Sequence, residues 1–384
     1  MNKIKLGIIG IGNMGSTHAK NIMNGKCPEI QLTAVADIDE KRLLWAKKNL
    51  GGVKLFSNAD EMINSGTVDS ILISVPHYGH TEYAIKGFKK GLNVMCEKPA
   101  GVYTKQVRLM NEESKKHNVV FGMMFNQRTN PMYIKMREII KGGTLGEIRR
   151  TNWIITNWFR SQYYYDSGAW RATWNGEGGG VLLNQCPHQL DLWQWICSMP
   201  KTVRANLKYG AWHNIEVEDD VTAFVEYENG ATGTFITTTG DCPGTNRFEI
   251  TCSKGRMIAE GNKLTVTRLN CDLKDYYGEK GKSFSAPVAE TEEIVFENSG
   301  GQHVEVLNNF AGKILHGTPL TAYGTEGING LTLSNAMHLS SFLNKTVTLP
   351  FDEDLYYSEL RKRVKTSVKK EAVESVVSDT EGSY

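Results

Sequence analysis

The sequence predicts an α/β protein: a doubly wound parallel sheet first, then an α+β region with an open, mainly antiparallel sheet. Three observations carry this. Short β-branched runs alternate with helical stretches over the first third. Gly10-x-Gly12-x-x-Gly15 sits between the first such run and the first helical stretch. From Val203 to Leu269 the pattern changes to strand-like alternation broken by hairpin turns.

In chain order, Ile4–Ile9, Leu32–Ala36, Ser70–Val75, Asn93–Cys96 and Val119–Met124 read as buried parallel strands. Thr81–Lys90 and Thr104–His117 read as crossover helices between them. The rhythm changes near residue 128, which predicts units of 1–127 and 128–343 and a C-terminal segment, 344–384. In the second unit Asn229-Gly230 separates two strand-like runs, a strong hairpin signal, and turns follow at Lys254-Gly255 and Gly261-Asn262. The expected result is an antiparallel sheet with helices on one face. A last helix is expected over Glu326–Phe342, with Ile328, Leu331, Leu339 and Phe342 on one side. The polar tail from Lys369 is expected to fray.

Composition excludes several functions. The 384 residues carry 44 basic and 42 acidic side chains, a net charge of +2, so no basic footprint for nucleic acid or an acidic membrane surface exists. No apolar run is long enough to span a bilayer. The basic-then-apolar N-terminus is short, rich in glycine and without a cleavage site, so it reads as the first strand and not as a signal peptide. Seven cysteines, an odd number without a CxxC pair, suggest neither a disulfide framework nor a metal site. Reduced thiols in a cytoplasm are the expectation.

The glycines have a chemical reading. Gly10 permits the tight turn, Gly12 lets backbone approach a pyrophosphate, and Gly15 lets the helix pack closely, its N-terminus (Asn13, Met14) facing the anion. A lone GxGxxG is weak evidence. Here Asp37 follows Gly15 by 22 residues at the end of the second strand, where a carboxylate grips a ribose 2′-hydroxyl. Asp37 would repel a 2′-phosphate, and Ile38, Asp39 and Glu40 supply no arginine, which selects NAD over NADP.

Further strand ends add candidates. Asn93–Cys96 runs into Glu97-Lys98-Pro99, placing both charges at the carboxyl end of a strand. Lys98 is either a solvated terminal lysine or, beside a nicotinamide, the group that stabilises an alkoxide. Ser74, Pro76, His77 and His80 close the preceding strand; the histidines either pack on the nicotinamide ribose or cap the next helix.

In "GEGGGVLLNQCPHQLDLWQW" (176–195), Asn184, His188 and Asp191 are spaced to share one helix face. Asp191 is then expected to orient His188, whose other nitrogen meets a substrate hydroxyl, and the three glycines let the helix approach the cofactor. The alternative is a core histidine, and Pro187 makes the face uncertain at Asn184. Between Trp153 and Trp174, 8 of 22 residues are aromatic against 9% overall, which suits a sugar-binding wall or a subunit interface.

Gly10-x-Gly12-x-x-Gly15, Asp37, "EKP" at 97–99 and "GGGVLLNQCPHQLD" at 178–191 together resemble the Gfo/Idh/MocA oxidoreductases, over nearly the whole chain. The resemblance implies a Rossmann domain binding NAD, and a second domain whose open sheet joins subunits into a homo-oligomer: a dimer, tetramer or higher. It implies oxidation of a sugar, glycoside or cyclitol hydroxyl by hydride transfer to the nicotinamide. Lys98 matches the lysine that polarises the reacting oxygen, and His188 the acid/base. Asn126 and Arg128 in "FNQR", Trp170 and Arg171 fall where relatives line the nicotinamide and sugar pocket, and Tyr164 of the aromatic stretch is a further substrate-binding candidate. Many relatives carry Asp where this chain has Asn184, and an amide can orient but not take a proton. A redox-assisted glycosidase, or a sugar–sugar oxidoreductase that recycles its NAD, is the alternative activity.

Overall fold

The computed structural model describes residues 2–280 and 283–368, so the tail expected to fray from Lys369 lies outside the described residues. Six parallel strands, β1 (Ile4–Ile9), β2 (Ile30–Ala36), β3 (Lys54–Phe56), β4 (Ser70–Ile73), β5 (Asn93–Cys96) and β6 (Phe121–Met123), form the first sheet in the order β3-β2-β1-β4-β5-β6. The crossovers carry α1 (Asn13–Met23), α2 (Glu40–Asn49), α3 (Ala59–Asn64), α4 (Tyr78–Lys89) and α5 (Thr104–Ser114). Leu6, Ile8, Ile71, Leu72, Ile73 and Val94 are each fully buried, as a sheet covered on both faces requires. Strand order reverses between β1 and β4, opening a crevice at their carboxyl ends. Gly10, Ser74 and Lys98 all lie at carboxyl strand ends.

The chain continues through α6 (Pro131–Lys141), β7 (Ile148–Ile155), α7 (Gln162–Asp166) and α8 (Pro187–Cys197). A second sheet follows from β8 (Thr202–Tyr209), β9 (Glu218–Glu226), β10 (Thr232–Thr238), β11 (Asn246–Cys252), β12 (Gly255–Glu260), β13 (Lys263–Leu269) and β14 (Ala289–Val295). The short α9 (Leu273–Tyr276) precedes β14, and α10 (Gln302–His316), α11 (Gly327–Leu343), β15 (Val347–Thr348) and α12 (Glu353–Thr366) complete the described chain. The nine strands lie in the order β14-β13-β12-β11-β7-β10-β9-β8-β15, antiparallel except for β10 on β7. All three expected turns are present, Gly230 and Gly261 at φ +80° and +59°, and Gly255 at +146°.

One face of this sheet packs on helices. Trp153 stacks on Phe248 at 4.2 Å, and Trp193 of α8 stacks on Phe235 at 5.4 Å. On α11, Leu331, Leu333, Ala336, Met337 and Leu339 are all buried. That burial goes well beyond the one side expected, because α11 is wedged among α5, α8 and β8. The other face leaves Phe224 about 40% exposed.

Two departures from the sequence reading matter. The helix α10, placed by its sequence in the second unit, returns to the first sheet, where Val306, Leu307 and Phe310 share a core with Leu6, Ile8 and Met95. A further helix, α12, follows the one expected to be last and anchors to α5 through Arg108–Glu353 and Lys105–Asp354.

The triple glycine is a packing device. A Cβ on Gly180 would lie 2.0 Å from the Glu218 carbonyl oxygen, and on Gly178 2.3 Å from Val102. The Glu218 carboxylate accepts from the N–H groups of Gly180 and Leu182, at 2.9 and 3.0 Å, and pairs with His338 of α11. The loop is therefore bolted to β9, and its glycines bring it close to protein, where closeness to a cofactor had been expected. Gly180→Ala is predicted to lower stability by about 2 kcal/mol or more. Gly51→Ala, with nothing within 4 Å of the added carbon, is predicted to stay within about 0.5 kcal/mol of the parent. Thermal unfolding of the two variants checks the contrast.

Candidate active site

The crevice floor begins at the glycine turn. Gly10 has φ +90°, and a Cβ there would sit 2.4 Å from the Ser74 carbonyl oxygen; one on Gly15 would sit 1.9 Å from the Gly10 carbonyl. At Gly12 nothing lies within 4 Å of the position, so this glycine leaves open space in front of α1. That helix, beginning at Asn13 and Met14, has no side-chain cap and no acidic residue in its first turn, which leaves its dipole available to an anion. Asp37 is fixed beside the turn, accepting from the N–H of Ile11 (2.7 Å) and of Asp39 (2.9 Å). Ile38 next to it is 92% exposed, a free apolar surface for a flat base. This cradle fits a dinucleotide: open backbone for phosphates, a carboxylate for a ribose and an uncovered hydrophobe for adenine.

The histidines after β4 behave differently from one another. His80 is buried with its nitrogens 2.7 Å from the Val75 carbonyl and 2.6 Å from that of Pro99. It is a strut between two strand ends, both ring nitrogens engaged by backbone, so any part it has beside a cofactor is by ring packing and not by hydrogen bonding. Its neighbour His77, reached through the turn at Pro76, lies edge-on to Trp170 at 5.5 Å and 3.2 Å from the Glu177 carbonyl.

At the end of β5, Lys98 reaches across to the second half of the chain and donates from Nζ to the Asn184 carbonyl at 2.9 Å. Burial pulls its amine below the usual lysine value, against the opposing attraction of Glu97. Glu97 is itself buried, with Oε1 2.7 Å from Nε2 of His18 and Oε2 accepting from the Lys98 N–H. Burial alone would raise Glu97, but the His18 hydrogen bond and charge, with His303 and Lys98, hold it down to about 2. His18 and His303 stack edge-on at 5.4 Å behind this pair. His18 carried no sequence signal beyond its position on a crossover helix, and His303 none beyond its place at the start of α10.

His188 is the second residue of α8, since Pro187 starts that helix and Asn184 precedes it. The shared helix face therefore does not include Asn184. Nor does Asp191 orient His188: its two oxygens accept from Nε and Nη2 of Arg128, both at 2.7 Å, in a fully buried bidentate pair. Arg128 also pairs with Glu326 at the start of α11, so it is a structural clamp and does not line the pocket. The sequence spacing identified a helix face but not a partner 63 residues away. Both nitrogens of His188 are buried without a hydrogen-bond partner among the described residues. Burial first, then the charge of Lys98, holds its imidazole well below the usual 6.5, so it is neutral and sensed by the ammonium.

Around these two groups the wall is aromatic and basic. Arg171 donates to the Tyr164 hydroxyl at 2.7 Å and lies over the rings of Tyr164 and Trp170, and Arg160 lies over Trp158 and Tyr164. Gln185 also reaches the Tyr164 hydroxyl. Trp153, Tyr165 and Trp174 are core residues at 5% exposure or less, so the local aromatic density divides between core and pocket. Asn126 is buried, donating to Gln302 at 2.6 Å, with its own oxygen unpartnered among the described residues. Glu177, which the sequence reading passed over, pairs with the Asn184 side chain. Among the described residues no group of His, Cys, Asp and Glu is placed to hold a metal ion, and no helix is long and apolar enough to cross a membrane.

Residues 4–125 match the model of an oxidoreductase family with an NAD-binding Rossmann fold, and residues 133–258 match the GFO/IDH/MocA C-terminal domain. Myo-inositol 2-dehydrogenase of Thermotoga maritima is 26% identical over 356 residues, covering 90% of this chain and 98% of its own. The fold is shared with the WlbA dehydrogenase of Bordetella pertussis, solved with NADH and UDP-GlcNAcA (TM-score 0.76, 23% identity, 91% of this chain and 100% of that one). It is shared too with a levoglucosan dehydrogenase solved with NADH and L-sorbose (TM-score 0.77, 19% identity, 92% of this chain and 100% of that one). The cofactor is NAD. Asp37→Ala is predicted to weaken NAD binding about tenfold or more, the loss of a hydrogen bond to a charged acceptor, and to narrow the preference over NADP. Titration of both cofactors by calorimetry checks it.

Proposed function

This chain belongs to the Gfo/Idh/MocA oxidoreductases, and from that premise we propose that it oxidises a ring hydroxyl of a sugar, glycoside or cyclitol to a ketone. The observations that carry the reading are Lys98, half-buried and bonded to the Asn184 carbonyl, and His188 four residues further on, a buried imidazole held toward its neutral form by burial and the Lys98 charge. Bound NAD would supply the hydride acceptor for the carbinol carbon. Lys98 donates to the alcohol oxygen and favours its alkoxide form. His188 accepts the hydroxyl proton on a ring nitrogen that has no other partner. Asn184 orients the substrate, while Tyr164, Trp170 and Arg171 supply apolar faces and polar rims suited to a carbohydrate.

On this reading Gly10, Gly12, Asn13, Met14, Gly15, Asp37 and Ile38 hold the adenosine and pyrophosphate, and Ser74, Pro76, His77 and Glu97 frame the nicotinamide end. The 1–127 segment is then the cofactor unit and 128–343 the substrate unit, with α10 lent back to the first. The uncovered sheet face, with Phe224, is where subunits meet, and the seven free thiols suit a cytoplasmic setting.

The test incubates the protein and NAD with myo-inositol, levoglucosan and methyl glucosides, following NADH by absorbance and the oxo-product by mass. The parent is predicted to form both in equal amounts. Lys98→Met is predicted to lower kcat by about 10²–10³-fold with NAD affinity unchanged. Glycoside cleavage without net NADH would overturn the dehydrogenase reading in favour of recycled cofactor.

A further inference from the structure

Asn184 is held at both ends. Its backbone carbonyl takes the Lys98 ammonium at 2.9 Å, and its side-chain Nδ2 donates to Oε1 of Glu177. Glu177 is 2% exposed, and its other oxygen accepts from the Ala172 N–H at 2.5 Å. A carboxylate can only accept, so it must meet the amide through its NH₂ group. The amide oxygen is thereby turned the other way, and Oδ1 of Asn184 has no hydrogen-bond partner among the described residues.

Building on the function proposed above, we propose that Glu177 is a positioning residue that fixes the Asn184 amide with its oxygen, and not its nitrogen, toward the substrate hydroxyl. An amide so fixed is an acceptor that aligns the hydroxyl proton, the role a carboxylate would fill at that position. Protonating Glu177 removes the constraint: its O–H then donates to Oδ1, and the NH₂ turns outward as a donor.

The surroundings make that change accessible. Burial raises the Glu177 carboxyl to about 7, against the Arg171 charge, the Ala172 N–H and Asn184, while Glu218 adds to the rise. His77 meets the Glu177 backbone carbonyl, and the Tyr165 phenol also senses the Glu177 charge. The acceptor orientation is therefore present above about pH 7 and lost as pH falls through it. His188, depressed well below 6.5, does not titrate in that interval.

Glu177→Gln tests this by a forced reversal. The buried Ala172 N–H retains the one oxygen of the new side chain, so its NH₂ faces Asn184 and turns Oδ1 inward. On any polyol of the panel that the parent oxidises, Glu177→Gln is predicted to lose at least about tenfold in kcat, the worth of one hydrogen bond, with NAD affinity unchanged. Adding Asn184→Asp restores an outward acceptor, and the double variant is predicted to regain most of the loss with its pH limb displaced from 7. Separately, infrared titration of the parent is predicted to show a carboxyl C=O band growing as pH falls through about 7, absent from Glu177→Gln. A Glu177→Gln enzyme of full activity, a double variant no better than the single one, or the absence of that band would each overturn the proposal. If no polyol is oxidised, the function proposed above fails while the infrared titration still decides this point.

Discussion

An ammonium group costs free energy to take out of water, and the site is organised around the half-buried one of Lys98. The lysine leaves the end of β5 and ends on a carbonyl of the loop ahead of α8, so one side chain joins the parallel sheet to the second half of the chain. Its neighbour Glu97 supplies compensating charge, and His18 fixes that carboxylate from behind. Its charge acts on the buried imidazole of His188. A cation whose field favours a neutral imidazole follows from that single placement.

The second half of the chain is held in place by a different buried charge. Arg128 leaves the turn after β6, forks onto Asp191 in α8 and also meets Glu326 ahead of α11. Bidentate geometry fixes distance and angle together, so the register of α8, and with it the position of His188, is tied to the first sheet. The Glu218 carboxylate does the same for the triple-glycine loop. Close approach at Gly180, where a Cβ would meet the Glu218 carbonyl, is what allows the second of these anchors to be short.

Legibility in the sequence followed the length and period of each signal. The buried strands β1, β2, β4 and β5 are short, mostly apolar runs, and the glycine turn with Asp37 has fixed spacing, so both are readable. The three-residue β3 is too short to show a period, and α12 buries only Tyr356 and Leu360 at its contact, too sparse a stripe to mark a helix. Packing of α10 on the first sheet is tertiary and leaves no local trace. The same limit applies at the site. Spacing put His188 and Asp191 on one helix turn but could not reveal that Arg128 claims the carboxylate, nor that His80 is spent on two carbonyls. His18 and His303 matter through partners far along the chain, and Glu177 through a loop contact to Asn184 seven residues on that follows no regular period, so no spacing rule finds them. Three of the eight clustered aromatics are core because β7 and the loops after it run beneath the pocket as well as along its wall.

The central claim is that a buried, unpartnered imidazole stands neutral beside the Lys98 ammonium, ready to accept a proton. Nitrogen NMR of the His188 ring, titrated from about pH 8 to about pH 5.5, tests this most directly. The account predicts one neutral form throughout, with the ring resonances shifting when Lys98 is replaced by Met. An imidazole that titrates near 6.5 and is indifferent to that replacement would contradict it.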